Sequence, residues 1–197
     1  MLKKTLIPLA LLVISSAASA SGTGYLGIGW GQSSIDIKAD NFGPGFSTSV
    51  SDSDTSFKFF GGYVLSGNFA MEAGYTDFGS FGANYTDGTN AVSEKTDGGA
   101  LHFALVGSVP LGQASLFAKL GLARWHMDYS IASNNPIYNG SASASAIDPM
   151  YGLGVQFDAS DALMLRAEFE RFRSVGHSYM TGKTDVDLIS ISAAFMF

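Results

Sequence analysis

The stretch Val186 to Phe197, V-D-L-I-S-I-S-A-A-F-M-F, constrains the fold more than any other part of the chain. Counted back in twos, Phe197, Phe195, Ala193, Ile191 and Ile189 share one face of an extended strand, and Met196, Ala194, Ser192 and Ser190 share the other. One face is wholly apolar and the other is mostly small or polar. After residue 20 no apolar run is long enough for a spanning helix, so helical spans are excluded. Positive mean hydropathy, 24 glycines and 13% aromatic residues without such a helix are what alternating barrel strands produce.

The same period of two recurs upstream. In Tyr25 to Gln32, Leu26, Ile28 and Trp30 alternate with Gly27, Gly29 and Gly31. Strands follow at Phe57–Leu65, Phe69–Phe78, Ala100–Val109, Ser115–Tyr129, Met150–Asp158 and Ala162–Arg173, with Val186–Phe197 as the eighth. Three connections are short: Ser66-Gly67-Asn68, Pro110 to Gln113, and Ala159-Ser160-Asp161. Four are long and polar, read as loops over Lys38–Asp54, Asp77–Gly99, Ser130–Pro149 and Ser174–Thr184. The third holds a Ser/Ala run, Ser141 to Ala146. Strict alternation of short and long connections over an even number of strands predicts an all-β, eight-stranded antiparallel up-and-down transmembrane β-barrel, with both termini on the periplasmic side. A soluble barrel of similar topology wants polar outer faces around an apolar cup, the reverse of the pattern here.

Glu72, His102, Lys119, Arg166, Glu168 and Glu170 fall on the inward register. An eight-stranded barrel is just wide enough for side chains to fill, so Glu72, Lys119, Arg166 and Glu168 are expected to form a hydrogen-bonded ionic plug. The same cluster could line a narrow gated pore. Trp30, Tyr75, Trp125 and Tyr129 read as an interfacial aromatic girdle.

Phe59-Phe60-Gly61-Gly62-Tyr63, Met71-Glu72-Ala73-Gly74-Tyr75, Phe117-Ala118-Lys119-Leu120-Gly121 and Glu168-Phe169-Glu170-Arg171-Phe172 together resemble the outer-membrane protein A-like transmembrane domain, over nearly the whole chain. The terminal face of Ile191, Ala193, Phe195 and Phe197 resembles the assembly signal of such barrels. The resemblance implies a monomer in a Gram-negative outer membrane, in contact with lipid and lipopolysaccharide and inserted by the barrel-assembly machinery. Larger family members carry a peptidoglycan-binding domain after the barrel; this chain ends at the last strand, so cell-wall tethering is not expected. The implied role is structural or adhesive and non-enzymatic. A narrow pore and a lipid A-modifying enzyme are the alternatives.

Met1-Leu2-Lys3-Lys4, the apolar run Leu6 to Ile14 and Ala18-Ser19-Ala20 have the form of a secretory signal over residues 1–20, which leaves 21–197 as the barrel domain. Without Lys3 and Lys4 the net charge falls from −6 to −8, and no basic stripe suggests nucleic-acid binding. No cysteine is present, which excludes disulfides and thiolate zinc sites. No cofactor, metal or catalytic residue is expected. His177 and Ser178 are adjacent and would point to opposite faces of a strand, and His126 and Asp128 share a face but no serine at suitable strand spacing joins them, so neither forms a convincing catalytic set. Asp52 and Asp54 lack the spacing of a calcium loop. Asn84-Tyr85-Thr86 and Asn139-Gly140-Ser141 match the glycosylation pattern by chance.

Overall fold

The computed structural model describes residues 24–36, 47–86, 91–135, 137, 139–176 and 183–197. The expected leader over 1–20 and the His177-Ser178 dipeptide lie outside the described residues. The strands are β1 (Gly24–Ile35), β2 (Ser47–Ser51), β3 (Ser53–Ser66), β4 (Phe69–Thr86), β5 (Ala91–Leu111), β6 (Ala114–Ser133), β7 (Gly140–Ser160), β8 (Leu163–Val175) and β9 (Thr184–Met196).

Eight of them form a closed antiparallel ring, in the order β4-β3-β1-β9-β8-β7-β6-β5, with β5 pairing back to β4. β1 closes on β9 from Tyr25↔Met196 to Ile35↔Val186. Beyond that ladder, Gly24 and Phe197 exchange two backbone hydrogen bonds of 2.9 Å, so no ladder group is left open at the seam. β2 is a short addition that pairs with β4 alone and follows the line of β3.

The ring has a turn end and a hairpin end. At the turn end, Gly67-Asn68, Gly112-Gln113 and Asp161-Ala162 make the tight connections. Gly112 has φ +76°, the left-handed conformation that such a turn demands and glycine adopts without strain. At the hairpin end two of the expected loops are largely strand. β4 runs on to Thr86 and β5 begins at Ala91, paired residue by residue from Asp77↔Gly99 to Thr86↔Ala91. β6 and β7 stay paired out to Ile131↔Gly140, through the Ser/Ala run. The physical reason is that a strand with one solvated face is as polar as a loop. Ala142, Ala144 and Ala146 turn inward and are partly buried, while Ser141, Ser143 and Ser145 face out. A bulge at Asp77/Gly79 bends β4 where it enters this extension. It is held by Asp77 Oδ1, which accepts from Gly79 N at 2.8 Å, and Asp54 Oδ2, which accepts from Ser80 N at 2.7 Å.

Side chains alternate as a spanning barrel requires. Leu120 and Ile189 are each 68% exposed on the outside, among a belt that includes Phe59, Leu101, Phe103 and Phe195. A soluble monomer does not present an apolar belt of that extent to water.

Candidate functional site

The lumen is filled in three layers. Near the turn end Tyr25, Phe60, Ala70, Val106, Phe117, Met164 and Ala194 pack together. Toward the hairpin end lies a larger apolar cluster that includes Phe78, Phe81, Trp125, Met127, Met150 and Phe172. Between them lies a layer of charges.

The charged layer follows from alternation. In β8, Leu165, Ala167 and Phe169 face out, so Arg166, Glu168 and Glu170 face in, and all three are buried. β4 contributes Glu72, β6 Lys119 and β3 Lys58. Lys119 Nζ lies 2.6 Å from Glu72, 2.8 Å from Glu168 and 3.2 Å from Glu170. Lys58 Nζ bonds Glu168 and lies 2.7 Å from Glu170. Arg166 Nη1 lies 2.5 Å from Glu72 Oε2, which also accepts from Tyr25 Oη at 3.0 Å. Every carboxylate therefore meets two cations, and three positive charges balance three negative ones. The Arg166 guanidinium also lies over the rings of Tyr25, Phe60 and Phe117, at 4.9–5.2 Å. Ions paired in this way tolerate removal from water, although Arg166 Nε makes no hydrogen bond among the described residues; losing one partner of a buried pair costs about 3–5 kcal/mol. The layer also fixes register, since a slip of one residue would turn its charges into lipid at about 2–4 kcal/mol for each Arg or Lys near the midplane.

Close packing against the layer explains one glycine. Gly62 of β3 faces Tyr25, and a Cβ there would stand only 2.1 Å from the tyrosine Cζ and 2.2 Å from the hydroxyl that donates to Glu72.

The six charged or titratable residues expected inside are all buried, and five of them share this network. His102 stands at the edge of the layer, its ring 6.2 Å from that of Phe172, and among the described residues neither ring nitrogen has a hydrogen-bond partner. Lys58 is the residue that the sequence reading leaves out. Two signals pointed to it: Phe57 and Phe59 on either side are outward residues, and the expected set sums to one excess negative charge.

The aromatic girdle is corrected at two positions. Trp30 and Tyr75 face out, but Trp125 is 2% exposed inside the hairpin-end cluster, and its indole Nε1 donates to Asp148 Oδ2 at 2.8 Å. Tyr129 packs against the same cluster. Both lie on the inward register of β6, where the extended hairpin carries the lumen beyond the expected membrane level. Ile191, Ala193, Phe195 and Phe197 all fall on the outer face, with the two phenyl rings stacked at 6.4 Å.

At the hairpin end, Arg171 Nε lies 2.5 Å from Asp187 Oδ1 and Arg173 Nε 3.2 Å from Asp185 Oδ1, tying β8 to β9. His126 Nε2 lies 3.3 Å from Asp128 Oδ1 on the outer face of β6. The register supplies a serine that spacing along the chain does not, since Ser145 of β7 is directly opposite His126. No hydrogen bond joins Ser145 to His126 among the described residues, and both members of the ion pair are more than half exposed. Asp54 is occupied by the backbone of Thr55 and Ser80. Asn84-Tyr85-Thr86 lies within β4, and Asn139-Gly140-Ser141 leads into β7.

Closed ring, apolar belt and filled lumen define a class, the small β-barrel that crosses a membrane with its strands. The model of the OmpA-like transmembrane domain family matches residues 19–197, and the chain belongs to that family. Among solved structures it is similar to Ail, the attachment invasion locus protein of Yersinia pestis, determined with the heparin analogue sucrose octasulfate: 16% identity, 90% of this chain and 100% of that one, TM-score 0.56. Neisserial surface protein A is matched at 12% identity over the same shares, TM-score 0.56. The outer membrane protein AlkL is matched at 15% identity over 100% of this chain and 97% of that one, TM-score 0.54. No curated protein matches by sequence. At these identities the likeness is one of fold, and the fold is that of barrels in the Gram-negative outer membrane.

Proposed function

We propose that the protein is a closed, non-enzymatic outer-membrane barrel that contributes to envelope integrity and presents its extended hairpins as a recognition surface. The observation that carries this reading is the charge-balanced layer of Lys58, Lys119, Arg166, Glu72, Glu168 and Glu170 between two apolar layers, which leaves the lumen filled. In this reading residues 1–20 are a cleaved signal, both barrel termini and the turn end face the periplasm, and the hairpin end faces the medium. The outward face of Ile191, Ala193, Phe195 and Phe197 serves the assembly machinery, and the barrel works as a monomer. The exposed strands carry Ser, Ala, Asn and Asp with most cations already paired, which suits a solvated recognition surface better than a site for polyanions. His126, Asp128 and Ser145 are read as solvated surface residues.

One observation favours a second reading as a narrow gated pore. The hydroxyls of Thr76, Ser190 and Ser192 face the lumen without a hydrogen-bond partner among the described residues. A planar bilayer recording separates the two. The closed barrel is expected to give no discrete conductance steps at neutral pH; regular steps that disappear in Lys119→Met would overturn it in favour of the pore.

A further inference from the structure

Eight lysines and arginines lie among the described residues, and six are accounted for. Lys58, Lys119 and Arg166 build the lumen layer; Lys95, Arg171 and Arg173 are paired with Asp97, Asp187 and Asp185. Lys183 stands beside β9 at the hairpin end. Neither it nor Arg124 has a carboxylate partner among the described residues, and of the two only Arg124, exposed on the outer face of β6, lies within the barrel wall.

Its surroundings are unusual for a free cation. Its cross-strand neighbours are Leu101 of β5 and Ile147 of β7, 60% and 64% exposed, and Leu122 lies two residues below it on the same face. The next row toward the hairpin end turns polar, with Gly99, His126 and Ser145. Arg124 thus stands in the uppermost apolar row that crosses the outer face of β5, β6 and β7. Depth along the strand agrees. From Leu116, the first outward leucine of β6, Arg124 is eight residues on (124 minus 116). At ~3.4 Å per residue and a tilt of ~40°, that is about 20 Å, close to the top of an apolar band about 25 Å tall. A guanidinium at that boundary offers five donors in a planar fork that matches phosphate oxygens, in a place where apolar neighbours exclude competing water.

The geometry points to a phosphate anchor: Arg124 holds a phosphate of lipopolysaccharide lipid A in the outer leaflet, while Leu101, Leu122 and Ile147 seat an acyl chain beneath it. The assignment rests on the orientation given above, with the hairpin end outward, because that orientation puts this row at the leaflet where acylated, phosphorylated glycolipid is the anionic lipid.

The test uses the folded full barrel, reconstituted in phosphatidylcholine vesicles carrying bisphosphorylated lipid A, dephosphorylated lipid A or phosphatidylglycerol. Lipid carried through mild detergent exchange is counted per barrel by mass spectrometry. Wild type is expected to retain bisphosphorylated lipid A, and Arg124→Gln to retain about three- to tenfold less, as the loss of one charge-assisted contact implies. Arg124→Lys should recover part of the difference. Equal retention by wild type and Arg124→Gln would overturn the anchor. Equal retention of the dephosphorylated lipid by wild type would do so too, without relying on any variant. Retention of phosphatidylglycerol as strong as that of lipid A would overturn the glycolipid assignment. The heat-dependent gel shift of each sample keeps the two failures apart, because a missing shift in wild type would count against the barrel reading itself.

Discussion

Lys119 touches more of the lumen layer than any other residue, since its ammonium reaches Glu72, Glu168 and Glu170. Lys119→Ala leaves each of those carboxylates with one cation instead of two, in a place water does not reach. The expected cost is about 3–5 kcal/mol, measured as a lower urea midpoint for the barrel in detergent, and an unchanged midpoint would remove the layer from the account of stability. Lys58→Ala strips Glu168 and Glu170 of their other cation, so the double variant should depart from additivity by roughly 1–3 kcal/mol. Most of this layer was legible from alternation alone; Lys58 was not, because a lysine between two phenylalanines reads as an ordinary polar position until the charges are summed. Trp125 went astray for another reason. An aromatic near a strand end is a girdle residue only where the strand ends at the membrane, and β6 continues to Ser133. The two tryptophans therefore predict different optical behaviour. In single-tryptophan variants, brominated lipid should quench Trp30, which is 55% exposed on the outer face, and leave Trp125 unquenched. Quenching of Trp125 would return it to the girdle.

β7 is the element whose sequence gave the least warning of its structure. Its turn-end half, from Tyr151 to Phe157, has the large-apolar alternation of a lipid-facing strand and was legible as one. Its hairpin-end half, Gly140 to Pro149, is built around the Ser/Ala run from Ser141 to Ala146, and composition alone cannot separate a solvated strand from a loop. What decides the matter is pairing. The segment is held by β6 on one edge, while β8 joins the other edge only from Met150↔Phe172 onward. Among the described residues the backbone of Gly140 to Pro149 has no ladder partner on its β8 side. Amide exchange should show this as an alternating pattern. Amides aimed at β6 are protected and the intervening ones exchange quickly, whereas from Met150 onward protection is continuous until the turn. Uniformly fast exchange from Ser141 to Ala146 would restore the loop reading; uniform protection would mean that another segment covers this edge.

At the scale of the whole molecule, closure is the property from which the others follow. A sheet crossing lipid can leave no ladder edge unpaired, and here β1 and β9 complete the ring through Ile35↔Val186 to the reciprocal Gly24–Phe197 bonds. This much was legible in the sequence, because turn spacing sets the strand count and alternation sets the two faces, and an even, alternately turned set of strands has few other ways to satisfy its backbone in a membrane. The layers inside were legible only in part, since which apolar residues meet across a lumen depends on stagger, which no single strand encodes. A ring in which each strand is held on both sides through the membrane opens only when a whole ladder fails, so unfolding should be slow and cooperative. In dodecyl sulfate without heating the protein should migrate as a compact species distinct from the boiled form, and the temperature of conversion should fall for Lys119→Ala. It should also fall for Gly62→Ala, which displaces Tyr25 from Glu72 without altering any charge. A conversion temperature unmoved by either substitution would place the rate-limiting ladder elsewhere, at the β1–β9 seam, where exchanging Gly31 for alanine crowds the backbone of Ile189 and Ser190 and would then become the sensitive change. Identical migration before and after boiling, in the outer-membrane fraction, would contradict the closed ring.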